Sequence, residues 1–110
     1  MHNLFSYGTL QDDKVQMEVF GRQVSGRADA ILGYTLAEVR ISDPSVVETS
    51  GEAVHPILKI TEDSRDRIPG FVFSISDQDL ERVDEYEGVE YQRVSAQLES
   101  GQTAWVYIEA

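Results

Sequence analysis

The chain contains no cysteine, which excludes a disulfide framework, a thiolate nucleophile and a Cys-ligated zinc site. Its two histidines are His2, at the N-terminus, and His55, before a proline. Neither has a histidine or carboxylate at ligand spacing, so no metal is expected and only an all-oxygen site stays open. Positive charge is scarce as well. Nine Lys and Arg stand against twenty Asp and Glu, for a formal net charge of −11. Without a basic stripe, neither nucleic acid nor an anionic membrane surface is an expected partner. The first residues lack a basic region and a long apolar run, so they read as neither a signal peptide nor a membrane anchor, and a cytoplasmic setting is the simplest reading. No repeat, low-complexity tract or linker divides the sequence, which reads as a single domain over residues 1–110. Folding at this length buries roughly two-thirds of the surface exposed by the unfolded chain, enough to support a cleft.

What is present is a succession of short extended segments. Asn3–Tyr7 is an apolar run ended by Gly8, suited to a buried first strand that leads into a turn. Asp12 or Asp13 can cap a helix through about Phe20, with Val15 and Val19 on one face and Gly21 as its stop. Arg27–Ile41 reads as extended structure broken at Gly33. Residues 42–54 contain Pro44, Ser45, Ser50 and Gly51 without a sustained period, and read as a loop placed to lie over a site. Pro56–Ile60 and Gly70–Ile75 read as neighbouring strands, and Tyr91–Leu98 and Thr103–Ile108 as a hairpin with Ser100 and Gly101 at its tip. The aromatics Phe5, Phe71, Phe73, Trp105 and Tyr107 are assigned to the core. With a second helix between Ile75 and Tyr91, the class is α+β, a small curved or closed mixed sheet with two or so short helices at one side.

The second helix carries the clearest signal. Ser76 can cap it, Asp79 stands where a capping box needs its acid, and Gly88 supplies the stop. At about 100° per residue from Leu80, Val83 falls near roughly 300° and Tyr86 near roughly 240°. Glu87, at roughly 340°, lies within that apolar stripe, whereas Glu81 and Glu85 face away and Asp84 sits at its edge. A carboxylate on a buried face is costly to desolvate. Burial and the helix C-terminus both raise its pKa, as general acid and base work near neutrality requires. The alternative for Glu87 is a hydrogen bond to a loop amide or a pairing with Arg93. Tyr91 and Arg93 share one face of the following strand, where they can line the same cleft or hold the Glu87 carboxylate. For Arg93 a structural ion pair is the more natural role and direct substrate contact, as for Tyr91, the alternative.

Tyr7-Gly8-Thr9-Leu10 lacks the glycines and lysine of a phosphate loop. It offers backbone instead, since Gly8 permits close approach and positive φ, and successive amides can hold an anion or a polarised carbonyl oxygen. Leu4-Phe5-Ser6-Tyr7-Gly8-Thr9-Leu10, Leu32-Gly33-Tyr34, Gly70-Phe71-Val72-Phe73, Val83-Asp84-Glu85-Tyr86-Glu87-Gly88 and Tyr91-Gln92-Arg93 follow one another in that order. The combination resembles the gamma-glutamylcyclotransferase-like family, in its avirulence-induced-gene-like branch. That resemblance implies a small β-barrel-like mixed fold and a cofactor-independent enzyme of the transferase or lyase class, releasing 5-oxoproline from a small gamma-glutamyl amide. It implies that Tyr7, Gly8, Thr9 and Leu10 contact the gamma-glutamyl group largely through backbone amides, and that Glu87 is the catalytic acid and base. Gln11-Asp12-Asp13-Lys14 departs from relatives with basic and asparagine residues there. A binding module with the same cavity and a hydrolase or acyltransferase on a related gamma-glutamyl substrate are the alternatives.

Overall fold

The structure, a computed structural model, describes residues 1–110. Strand β1 (His2–Ser6) runs into a 3-10 turn (Thr9–Gln11) and helix α1 (Asp13–Phe20). Then come β2 (Gly26–Leu32), β3 (Tyr34–Arg40), α2 (Pro44–Ser50), β4 (Val54–Ile60) and β5 (Arg67–Ile75). Helix α3 (Asp77–Glu87), a 3-10 turn (Gly88–Glu90), β6 (Tyr91–Gln97) and β7 (Thr103–Glu109) complete the α+β chain.

Capping chemistry sets the helices. The Asp12 side chain accepts from the Lys14 amide at 2.8 Å and starts α1, whose Val15 and Val19 are buried as their spacing requires. Ser76 and Asp79 form the reciprocal capping box of α3. Residues 44–50 are helical, not a loop. Asp43 caps α2 through the Ser45 amide at 2.9 Å, Pro44 occupies the first turn, and the chain leaves at Gly51. The end signals were present, but a seven-residue helix with Val46 as its one buried residue is too short to show a period.

Five strands form one sheet in the order β2-β5-β1-β7-β6, with β1 and β7 parallel and every other pairing antiparallel. β3 and β4 form a separate antiparallel pair. The expectation that the segments now seen as β4 and β5 are neighbours fails, because β5 runs between β1 and β2 while β4 pairs with β3. The five-stranded sheet is not closed into a barrel. Its edges meet at one bridge, Ile31 with Leu98, where the β6–β7 turn carries the chain away. There the Glu99 amide donates to the Ala30 carbonyl at 2.8 Å and Ser100 bonds Asp29, so turn contacts replace a ladder.

β1 is apolar on both faces because it has a core on each side. Leu4 and Phe73, paired across β1 and β5, join the helices in a larger core, while the next pair, Phe5 and Val72, joins Ile31, Leu58 and Val106 in a second. At Gly70 the strands approach closely, since an added Cβ would come 2.3 Å from the Ser6 carbonyl oxygen and 2.8 Å from the Phe5 ring. Phe71 is not core but half-exposed, on the outer edge of this close approach.

Candidate active site

β1 delivers the chain into Tyr7–Leu10, where the loop is held from three sides. The Tyr7 hydroxyl donates to the Tyr107 carbonyl at 2.6 Å and accepts from the Leu58 amide at 3.3 Å. Thr9 Oγ1 shares a 2.7 Å hydrogen bond with the Tyr86 hydroxyl of α3. Gln11 donates to the Gly8 carbonyl by its amide at 3.1 Å and by its side chain at 3.2 Å. Gly8 does not use positive φ; its φ is −132°. Its lack of a side chain serves proximity instead, because a Cβ there would lie 3.1 Å from the Pro56 ring. The anchoring uses side chains and carbonyls. None of the backbone hydrogen bonds formed outside helices and strands is donated by Tyr7, Gly8, Thr9 or Leu10, and no side chain accepts from their amides either. Four neighbouring N–H groups are thus left without a protein acceptor, beside a cleft.

That cleft is lined by the Tyr7–Leu10 loop, His55 and Pro56 of β4, Glu87, Tyr91 and Tyr107. Glu87 is the last residue of α3, and no protein donor is bonded to its carboxylate. Burial pushes its pKa up to about 8. The absence of a partner is understandable from its neighbours, since each surrounding hydroxyl is already committed. Tyr91 donates to the Pro56 carbonyl at 2.8 Å, Tyr7 to the Tyr107 carbonyl, and Tyr107 to Asp84. Burial, and then the charge of Glu87, push the Tyr7 and Tyr91 hydroxyls above the usual tyrosine range.

Of the residues singled out in the sequence, the structure gathers Tyr7, Gly8, Thr9, Leu10, Glu87 and Tyr91 around one cleft. Arg93 lies elsewhere. It pairs with Asp84 at 3.0 Å and its guanidinium sits 4.4 Å from the centroid of the Trp105 ring, so neither Arg93 nor a loop amide neutralises Glu87. Two lining residues had no sequence signal. Tyr107, assigned to the core from its strand pattern, presents an edge to the cleft while remaining buried. His55 is also buried, with Nε2 bonded to the Glu52 carbonyl at 3.1 Å and to the Ser50 hydroxyl at 2.8 Å, and burial lowers its pKa. No group of three His, Asp or Glu side chains is placed to hold a metal ion. No helix is long and apolar enough to cross a membrane.

The model of the family described as gamma-glutamyl cyclotransferase, AIG2-like, matches residues 4–110. No curated protein matches. Among solved structures, an Arabidopsis thaliana protein studied in solution shares 23% identity and a TM-score of 0.72, over 98% of this chain and 68% of that one. An uncharacterized Pyrococcus horikoshii protein aligns at 19% identity and a TM-score of 0.68, over 99% of this chain and 78% of that one. A gamma-glutamyl cyclotransferase aligns at 13% identity and a TM-score of 0.76, over 99% of this chain and 66% of that one. At these identities the likeness is one of fold, and this chain spans about two-thirds of the gamma-glutamyl cyclotransferase's length.

Proposed function

Because the chain belongs to the gamma-glutamyl cyclotransferase, AIG2-like family, we propose that it cleaves a small gamma-glutamyl amide by intramolecular aminolysis. The observation that carries this reading is the pairing, across one cleft, of an unpartnered carboxyl with a pKa of about 8 and four amides without protein acceptors. Glu87 takes a proton from the substrate's α-ammonium, and the freed amine attacks the γ-carbonyl carbon. The tetrahedral oxyanion so formed is held by the Tyr7–Leu10 amides. As the attacking nitrogen gives up its second proton, collapse breaks the amide C–N bond, and the departing amine takes up both protons lost by the α-nitrogen, one of them returned by Glu87, leaving 5-oxoproline. Nucleophile and electrophile belong to one molecule, so proximity supplies much of the rate, and the cycle needs no cofactor. Tyr91 closes the cleft beside Glu87, while Arg93 acts indirectly by fixing Asp84. The enzyme falls in the transferase or lyase class and works as a cytoplasmic protein on a small substrate.

A panel of gamma-glutamyl amino acids and amines, assayed for 5-oxoproline with Glu87→Gln as control, tests the proposal. Release by the wild type alone supports it. Release of glutamate instead identifies a hydrolase, and binding without any release identifies a binding module; either result overturns it.

A further inference from the structure

Asp84 lies three residues before Glu87 on α3, which places the two side chains side by side on the helix surface. Facing them from β7 is Tyr107, whose hydroxyl donates to Asp84 Oδ1. Arg93 of β6 forms an ion pair with the same oxygen, its Nε 3.0 Å away, and its guanidinium lies 4.4 Å from the centroid of the Trp105 ring. The Asp84 carboxylate is therefore engaged by residues of β6 and β7.

The other polar groups around Glu87 are turned away by the fold itself. Tyr7 and Tyr91 donate to the backbone carbonyls of Tyr107 and Pro56, Tyr86 is bonded to Thr9, and His55 bonds the Glu52 carbonyl. Tyr107 is the one hydroxyl of this set held by a second carboxylate, an acceptor of the same chemical kind as Glu87. We propose that Asp84 is a positioning residue that keeps the Tyr107 hydroxyl from donating to Glu87. A phenol donated to Glu87 would stabilise the ionised carboxylate and make it a weaker base. Sequestering that proton donor preserves the basicity that desolvation creates. The inference rests on the acid and base role given to Glu87, and its test reads the carboxyl directly.

The protein labelled with ¹³C at its glutamate carboxyls is titrated by NMR, with the Glu87 resonance assigned by its loss in Glu87→Gln. Asp84→Asn keeps an acceptor oxygen for Tyr107 but removes the charge, whereas Asp84→Ala removes both. The Glu87 midpoint falls further in Asp84→Ala than in Asp84→Asn, by about one pH unit. Adding Tyr107→Phe to Asp84→Ala restores the midpoint to that of Asp84→Asn. Equal midpoints in the two single variants overturn the proposal. So does a double variant that stays low, which would assign the shift to a released Arg93. The Asp84 side chain is 40% exposed, which limits what these replacements cost the fold. The pH dependence of kcat/KM shifts in step with the midpoint if Glu87 is the base. A midpoint that moves while 5-oxoproline release is absent retains the positioning role and removes the catalytic one.

Discussion

The two ends of α3 treat a carboxylate in opposite ways. At the N-terminal end Asp79 is buried and fully engaged. Arg22 donates to both of its oxygens, at 3.1 and 2.7 Å, and the Ser76 amide adds a third bond at 3.1 Å. These bonds, that of Arg22 foremost, pull its pKa down to about 2. At the C-terminal end Glu87 faces a cleft with no protein donor bonded to its carboxylate, and burial pushes its pKa up to about 8. One helix thus carries a paired acid and an unpartnered one, and they differ in whether a protein donor is bonded to the carboxylate. The helix dipole works in the same sense, favouring negative charge where Asp79 sits and opposing it at Glu87.

Exchanging the chemistry of the two ends should show how separate their tasks are. The largest effect is expected from Glu87→Gln, which should cost roughly 10³-fold in 5-oxoproline release and leave the far-ultraviolet circular dichroism unchanged. In the wild type, kcat/KM should climb as pH rises toward about 8, where the Glu87 carboxyl ionises. A flat profile would mean that Glu87 is not the base.

Asp79→Ala should lower unfolding free energy by about 3 kcal/mol in urea melts, because it removes the side-chain half of the capping box that bonds the Ser76 amide and leaves Arg22 without its partner. The folded pKa of Asp79 lies below its ordinary 3.8. Its contribution is therefore complete above pH 3.8 and fades as pH falls toward 2, so wild type and variant should converge in acid.

Glu87 gives the reverse sign. Its folded pKa lies above the ordinary 4.5, so ionisation destabilises the fold as pH rises from 4.5 toward 8. Glu87→Gln should then be the more stable protein by about 2 kcal/mol at pH 8.5, with no difference near pH 4. Equal stability at both pH values would show that water already solvates the carboxylate. The smallest effect belongs to Ser76→Ala, about 1 kcal/mol in the same melts, since it removes one half of the capping box and spares Arg22.

What the sequence revealed follows the range of the forces involved. Ser76, Asp79 and Gly88 announce α3 because capping acts between residues a turn apart, and the position of Glu87 on the apolar stripe follows from helical geometry alone. Arg22, fifty-seven positions from Asp79, could not be matched to it, since tertiary folding decides that pairing. The exchange of neighbours among β3, β4 and β5 was hidden for the same reason, and so was the opening of the sheet beside Ile31. The cleft shows the same division. The loop and Glu87 come from contiguous motifs, whereas His55 and Tyr107 reach it from strands that look like ordinary core.

The close approach at Gly70 bears on how this molecule can change. A methyl group there would force β1 and β5 apart at Ser6, the last residue of the strand before the Tyr7–Leu10 loop. Altered side chains on that loop can leave its amides where they are; one methyl group across the strand cannot. Position 70 is consequently a poor place for drift or redesign, although it does not line the cleft.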